Sequence, residues 1–377
     1  MARMTLRFLA RFLPICALLP LVFPACGGSG TQAIVGPADG GASAEAAVVQ
    51  PALGPWRLVR VDDQNDSGHM LMYTHGHVFS PTYSGRTVDV YDARTYARVA
   101  QIPAGRGAGH LSTNGTHIFV SNRMAADLGV EAYLTVIDPV SLKVVRELVT
   151  SEHPEGVDEL NLPTTQLPWA TATLGDKLYG VFPTNFQLNV MPVRLVDWKE
   201  GTFVRGGSGA SQLVGAAGRL FVINKRAIFD PKDDALMVLD PEGREIATLE
   251  TGGSIFDLQE AGGRVWLTRQ VEGAAEGEWL VVEPQTLKWH TVPVVREPQH
   301  IAVQSATASA NGKVWTVGKS TLRVQAFDQT TEQRVEDIDL AAFELKLVKP
   351  RGLAVTPDGD VFIESEGAIA VLTRRTP

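Results

Sequence analysis

The chain has 377 residues, 44% of them hydrophobic and 20% charged, with a formal net charge of −8. A net acidic chain without a basic stripe excludes a nucleic-acid surface of the usual electrostatic kind. Its two cysteines, Cys16 and Cys26, both precede residue 27, so the remainder can hold neither a disulfide nor a thiolate metal site.

Residues 1–25 carry Arg3, Arg7 and Arg11, then an apolar stretch at 12–23, and end Phe23-Pro24-Ala25 before Cys26. A positive start followed by a short apolar run is the pattern of a secretory signal. A membrane span needs about 20 apolar residues, and Pro14 and Pro20 interrupt this run. The Ala25-Cys26 junction resembles a bacterial lipobox, which implies acylation of Cys26, although Pro24 stands where that pattern has a small residue. Removing 1–25 takes three positive charges from −8 and leaves −11. Residues 26–54 are nearly all Gly, Ala, Ser, Thr, Val and Pro, with only Asp39 and Glu45 charged, and read as a flexible linker. The expected placement is the bacterial cell envelope, with the membrane touched only through the lipid.

Residues 55–377 repeat. The run GHVFSPT, TVDVYDA, ARVAQIP at 76–102 recurs in the same order as GTHIFVSN, AYLTVIDP, LKVVRELVT at 115–150. Weaker copies follow at 176–206, then clear ones at 218–251 and 263–294, a weak one at 312–340, and GDVFIES with AIAVLTRR at 359–375. Each run is short, rich in Val, Leu, Ile, Phe and Tyr, and bounded by Gly, Asp, Asn or Pro, as strands are. Asp-Pro or Asp-Ala at the end of the second of these runs supplies a turn. A further short run precedes each Gly-started strand, for example HLSTN, WATATL and QLVGAA. Four strands per unit make a propeller blade. The last unit lacks its fourth strand, and WRLVRV at 56–61 belongs to no unit. Lending that strand to the last blade closes a seven-bladed all-β propeller and removes an exposed edge.

FVSN and LTVIDPVSLKVV, at 119–122 and 134–145, resemble the YVTN and NHL class of bacterial propeller repeats. The resemblance implies the fold and leaves function open, because such rings host binding proteins, lyases, lactonases and redox enzymes.

Aligning the starts of the innermost strands puts His69, His110 and His300 at one register, with Gln212 and Asp257 beside them. Ala170 and Gly352 take that register in the third and seventh blades, with Trp169 and Arg351 one residue earlier. These residues should surround the channel mouth. His69, His110, His300 and Asp257 suit a divalent metal ion such as zinc, copper or iron. One of the histidines could alternatively serve as acid or base in a lyase or hydrolase. A structural role is the third reading, in which each histidine caps a turn by bonding to backbone. His75 and His77 flank a turn toward the opposite face, and the acids of DPKDD at 230–234 lack the ligand pattern of a helix-loop-helix calcium site. The tryptophans fall in strands and suit packing between blades. The long connections 123–132, 225–235 and 270–278, and the segment around 183–192, share the face of the channel mouth. Long loops on one face of a rigid ring carry binding, so the expectation is a monomeric module for an envelope protein or a small ligand.

Overall fold

The computed structural model describes residues 33–35, 56–65, 70–122, 132–149, 170–181, 193–197, 202–205, 210–224, 234–271, 277–294, 306–318, 322–343, 350, 352–365 and 367–375. The signal, Cys26, His69, Trp169, His300 and Arg351 lie outside the described residues. Apart from one short 3-10 turn, the regular structure described is β-strand.

Two strands precede the repeats, β1 (Ala33–Val35) and β2 (Arg57–Asn65). The first sheet then runs through β3 (Met72–Thr74), β4 (His77–Thr82), β5 (Thr87–Asp92) and β6 (Arg98–Pro103). The second holds β7 (Ala108–Thr113), β8 (Ile118–Asn122), β9 (Ala132–Asp138) and β10 (Lys143–Val149). The third holds β11 (Ala170–Leu174), β12 (Lys177–Val181), β13 (Val193–Asp197) and β14 (Thr202–Arg205). Next come β15 (Ala210–Ala216), β16 (Arg219–Asn224), β17 (Ala235–Leu239) and β18 (Glu245–Glu250), with β1 added beyond β18 as a fifth strand. Another sheet holds β19 (Ser254–Ala261), β20 (Arg264–Gln270), β21 (Glu278–Val282) and β22 (Trp289–Pro293). It is followed by β23 (Ala306–Ala310), β24 (Lys313–Val317), β25 (Arg323–Asp328) and β26 (Arg334–Asp339). The last sheet is β27 (Gly352–Val355), β28 (Val361–Ser365) and β29 (Gly367–Thr373), completed by β2.

Every consecutive pair within a blade is antiparallel, and the inner strands neighbour one another around a ring. β11 lies between β7 and β15, β19 between β15 and β23, and β27 between β23 and β3. The fold is a β-propeller of four-stranded blades. The spare N-terminal strand closes it as expected, with Leu58 opposite Leu372 and Val59 opposite Val371.

The repeat is visible at atomic level in one turn. After the third strand, Asp92 Oδ1 accepts from the Arg94 and Thr95 N–H groups, and Asp138 Oδ1 from Val140 and Ser141. Asp328 Oδ1 accepts from Thr330 and Thr331. These N–H groups hold all three carboxyls below the usual carboxylate range. Four residues on, Tyr96, Leu142 and Glu332 adopt positive φ and return a backbone hydrogen bond to the aspartate carbonyl. The same turn in the fifth blade puts Leu287 at φ 59° with Glu283 in the aspartate's place.

Packing lies between blades. Trp266 and Trp279 are buried edge to face at 5.7 Å, and Trp279 meets Phe327 of the next blade at 6.1 Å. Close approach has a local requirement at Gly215, where an added Cβ would fall 2.3 Å from the Thr173 carbonyl oxygen of β11. Gly215→Ala must push two inner strands apart, so a loss of about 1–3 kcal/mol in urea unfolding is expected. An unchanged midpoint would show that the strands separate freely.

The seam between the last blade and the first is pinned by side chains. Asp360, 1% exposed, accepts from Thr373 Oγ1 at 2.6 Å, from the Tyr96 hydroxyl at 3.1 Å and from the Arg375 guanidinium. Arg375 also donates to the Ala93 carbonyl at 3.0 Å and to the Tyr96 hydroxyl at 2.8 Å, and lies over the Tyr96 ring.

Within residues 26–54 the structure describes three residues. Ala33–Val35 is a strand, parallel to β18, with Ala33 opposite Ala247 and Val35 opposite Leu249. Mean composition hides this tripeptide, whose Ile and Val suit a strand.

Candidate functional site

The hairpins fix the register of the inner strands. Each inner strand reaches its hairpin at Thr74, Asn114, Leu174, Ala216, Ala261, Ala310 or Thr356. Four residues earlier stand Met70, His110, Ala170, Gln212, Asp257, Ala306 and Gly352. His110, Ala170, Gln212, Asp257 and Gly352 therefore share one register. Met70 and Ala306 hold the positions expected of His69 and His300. His69 and His300 themselves lie outside the described residues; among the described residues His110 is the histidine at this register.

A β-bulge precedes each polar member. The pairing shifts between Ala108 and His110, between Ala210 and Gln212, and between Ile255 and Asp257. A bulge re-aims the next side chain, and here the side chains reach across to the adjoining blade. The Thr171 N–H donates to His110 Nδ1 at 3.3 Å, and the Leu111 N–H donates to Met70 Sδ at 3.3 Å. Thr307 donates its hydroxyl to Asp257 Oδ2 at 2.9 Å, and its N–H serves the same carboxyl. In all three cases the acceptor sits at the register and the donor N–H lies one residue past it in the next blade. Gln212, with its amide nitrogen turned toward the fifth blade, donates to Asp257 Oδ1 at 3.0 Å and to the Phe256 carbonyl at 3.2 Å. The reverse orientation would set its oxygen against two acceptors.

These bonds bear on chemistry. Because His110 Nδ1 accepts, the ring proton is on Nε2. A metal-binding histidine instead donates its second N–H outward, so coordination by His110 would break its bond to Thr171. Asp257 accepts from Leu258 N at 3.0 Å in addition to Thr307 and Gln212. Burial nevertheless pushes its carboxyl up to about 7, against the pull of those hydrogen bonds. Among the described residues no group of three or more His, Cys, Asp or Glu side chains gathers to hold a metal ion.

The remaining candidates fall as follows. His75 is in the hairpin at φ 49°, its ring nitrogen 2.9 Å from Thr74 Oγ1, and His77 lies edge-on to Phe79. Of 230–234, only Asp234 is described. It is 1% exposed, and its carboxylate accepts from the Ile255 N–H at 2.8 Å, a further link between blades. Sequence reading did not single out that link, or Ser112 Oγ bonded to Thr171 Oγ1 at 2.7 Å. For Ser112 the signal available was a polar residue within an inner run, and for Asp234 an acid directly before the apolar run ALMVL.

The two faces of the ring differ. On one, inner and second strands are joined mostly by tight turns, at 75–76, 175–176, 217–218, 262–263 and 311–312. On the other, second and third strands are joined across 123–131, 182–192, 225–234 and 271–277, against 83–86, 318–322 and 366 in the remaining blades.

The blades and their closure define a β-propeller protein. No family model matches the chain, and no curated protein matches it in sequence. Solved structures do. Streptogramin B lyase is 12% identical at TM-score 0.58, over 84% of this chain and 97% of that one. The Swd1 β-propeller domain of Myceliophteria thermophila is 12% identical at TM-score 0.59, over 84% and 99%. YCF48 bound to D1 peptide is 12% identical at TM-score 0.54, over 88% and 99%. At these identities the likeness is one of fold.

Proposed function

We propose that this chain is an exported seven-bladed β-propeller, anchored to the cell envelope through Cys26, that binds a partner protein or peptide as a monomer. The asymmetry of its faces carries the reading. Tight turns cover one face, while the long connections of four adjoining blades gather on the other. Loops displayed by a rigid scaffold are where binding residues concentrate. The polar inner-strand residues His110, Gln212 and Asp257 support it further, because their hydrogen bonds join blade to blade. The peptide-bound state of the similarly folded YCF48 is consistent with a peptide partner.

A photo-crosslinking side chain placed at Asp127 or Ile228, in two of the long connections, is expected to give a discrete adduct in cells. The same group at Thr116 or Asp176, in hairpins of the opposite face, is expected to give none. Equal labelling from both faces would sink the proposal. Elemental analysis of residues 55–377 provides an independent check, since a stoichiometric metal lost in His110→Ala would favour a channel enzyme instead. For the anchor, Cys26→Ser is expected to move the protein from the membrane pellet to the soluble fraction. Unchanged fractionation would remove lipidation from the reading.

A further inference from the structure

The outer edge of the fourth blade is the one that carries an added strand among the described residues. An outer strand presents a row of N–H and C=O groups that another segment can pair with, and proteins blunt such edges with charge, proline or brevity. The outer strands here follow that rule to different degrees. β10 carries Arg146 and Glu147, β26 carries Glu336 and Asp337, and β2 carries Arg60, Asp62 and Asp63 inside the strand. β6 ends at Pro103, β22 ends at Pro293, and β14 has four residues. β18, reading EIATLE, keeps charge at its two ends only. The edge of β18, uncharged along its interior, is the edge that β1 occupies.

We propose that the β18 edge is a strand-docking site whose resident is the chain's own Ala33–Val35, paired in parallel. Two consequences follow. The docked strand covers the exposed pairing template, and so keeps this blade from pairing with other chains. It also divides the linker: residues 27–32 alone separate Cys26 from the docked strand, where 27–56 would otherwise separate it from β2. The stretch 36–56, fully extended, spans at most about 70 Å. Docking does not depend on acylation of Cys26, whereas the shortened leash matters for orientation only if Cys26 is anchored.

The test is disulfide trapping in the full chain, whose two cysteines, Cys16 and Cys26, both precede the docked strand. Ile34 and Thr248 are register partners. Neighbouring strands lie about 4.8 Å apart, within the Cα range a disulfide accepts. Ile34→Cys with Thr248→Cys is expected to oxidise within one chain at least tenfold faster than Ile34→Cys with Gln101→Cys on β6, as read by peptide mass mapping. Running both pairs with Cys26 intact and as Cys26→Ser separates docking from anchoring, since trapping must survive loss of the anchor. Deleting 33–35 should raise deuterium uptake over 245–250 and leave 334–339 unchanged. Equal rates for the two pairs, or a disulfide joining two chains, would overturn docking in cis, and unchanged uptake would do the same.

Discussion

Arg375→Ala is expected to cost about 2–3 kcal/mol of stability, less than the roughly 3–5 kcal/mol of a fully buried ion pair because the Arg375 side chain is 30% exposed. Asp360 is 1% exposed, and the Arg375 guanidinium is the positive charge against it. The hydroxyls of Tyr96 and Thr373 still donate in the variant, but they bring dipoles where a charge is needed. The site lies where the two ends of the ring meet, so the loss acts on closure. It also frees the Tyr96 ring, which packs edge to face on Phe362 at 5.8 Å. Denaturant unfolding gives the measurement. The variant carrying both Arg375→Ala and Asp360→Asn should recover part of the loss, because it removes the stranded charge. If that double variant is no more stable than Arg375→Ala alone, the charge is not what the arginine answers to.

The repeat was legible in the sequence because its punctuation is local. The Asp-initiated turns at Asp92, Asp138 and Asp328 need only one side chain and the next three residues. The closing strand was legible because WRLVRV had no other place. The inner register was harder, since it depends on the distance to a hairpin. Gly68-His69 looks like Gly109-His110, yet the hairpin at Thr74 makes Met70 the equivalent residue. A slip of one residue turns a strand side chain to the other face. In the sixth blade the apolar run after His300 drew the alignment forward, while the strand is the small-residue run ATASA. Its position is set by the Asn311-Gly312 turn, where both residues have positive φ. The seam was not legible at all. Tyr96 stands 264 residues from Asp360 and 279 from Arg375, and meets that pair only because the ring closes.

Asp257 should make the ring lose stability as pH rises through the weakly acidic range. Its carboxyl is raised from 3.8 to about 7 in the folded state, first by burial. Between these values the folded chain holds a proton that the unfolded chain has released. The folded state binds more protons there, so raising the pH disfavours it. The penalty is absent below about pH 4, grows toward pH 7 and is constant above. A displacement of about three units bounds it at roughly 4 kcal/mol. Asp257 is only partly shielded from solvent, and the Gln212 amide donates to its ionised form, so the slope falls short of that bound. The residue that holds the fourth, fifth and sixth blades together is thus weakest as a clasp when it is charged. Subtracting the unfolding free energy of Asp257→Asn from that of the unmodified chain, pH by pH, cancels the other carboxyls. The difference should decline between pH 4 and 7 and then level. A flat difference would mean that the hydrogen bonds from Thr307, Leu258 and Gln212 offset burial completely, leaving the carboxylate ionised throughout.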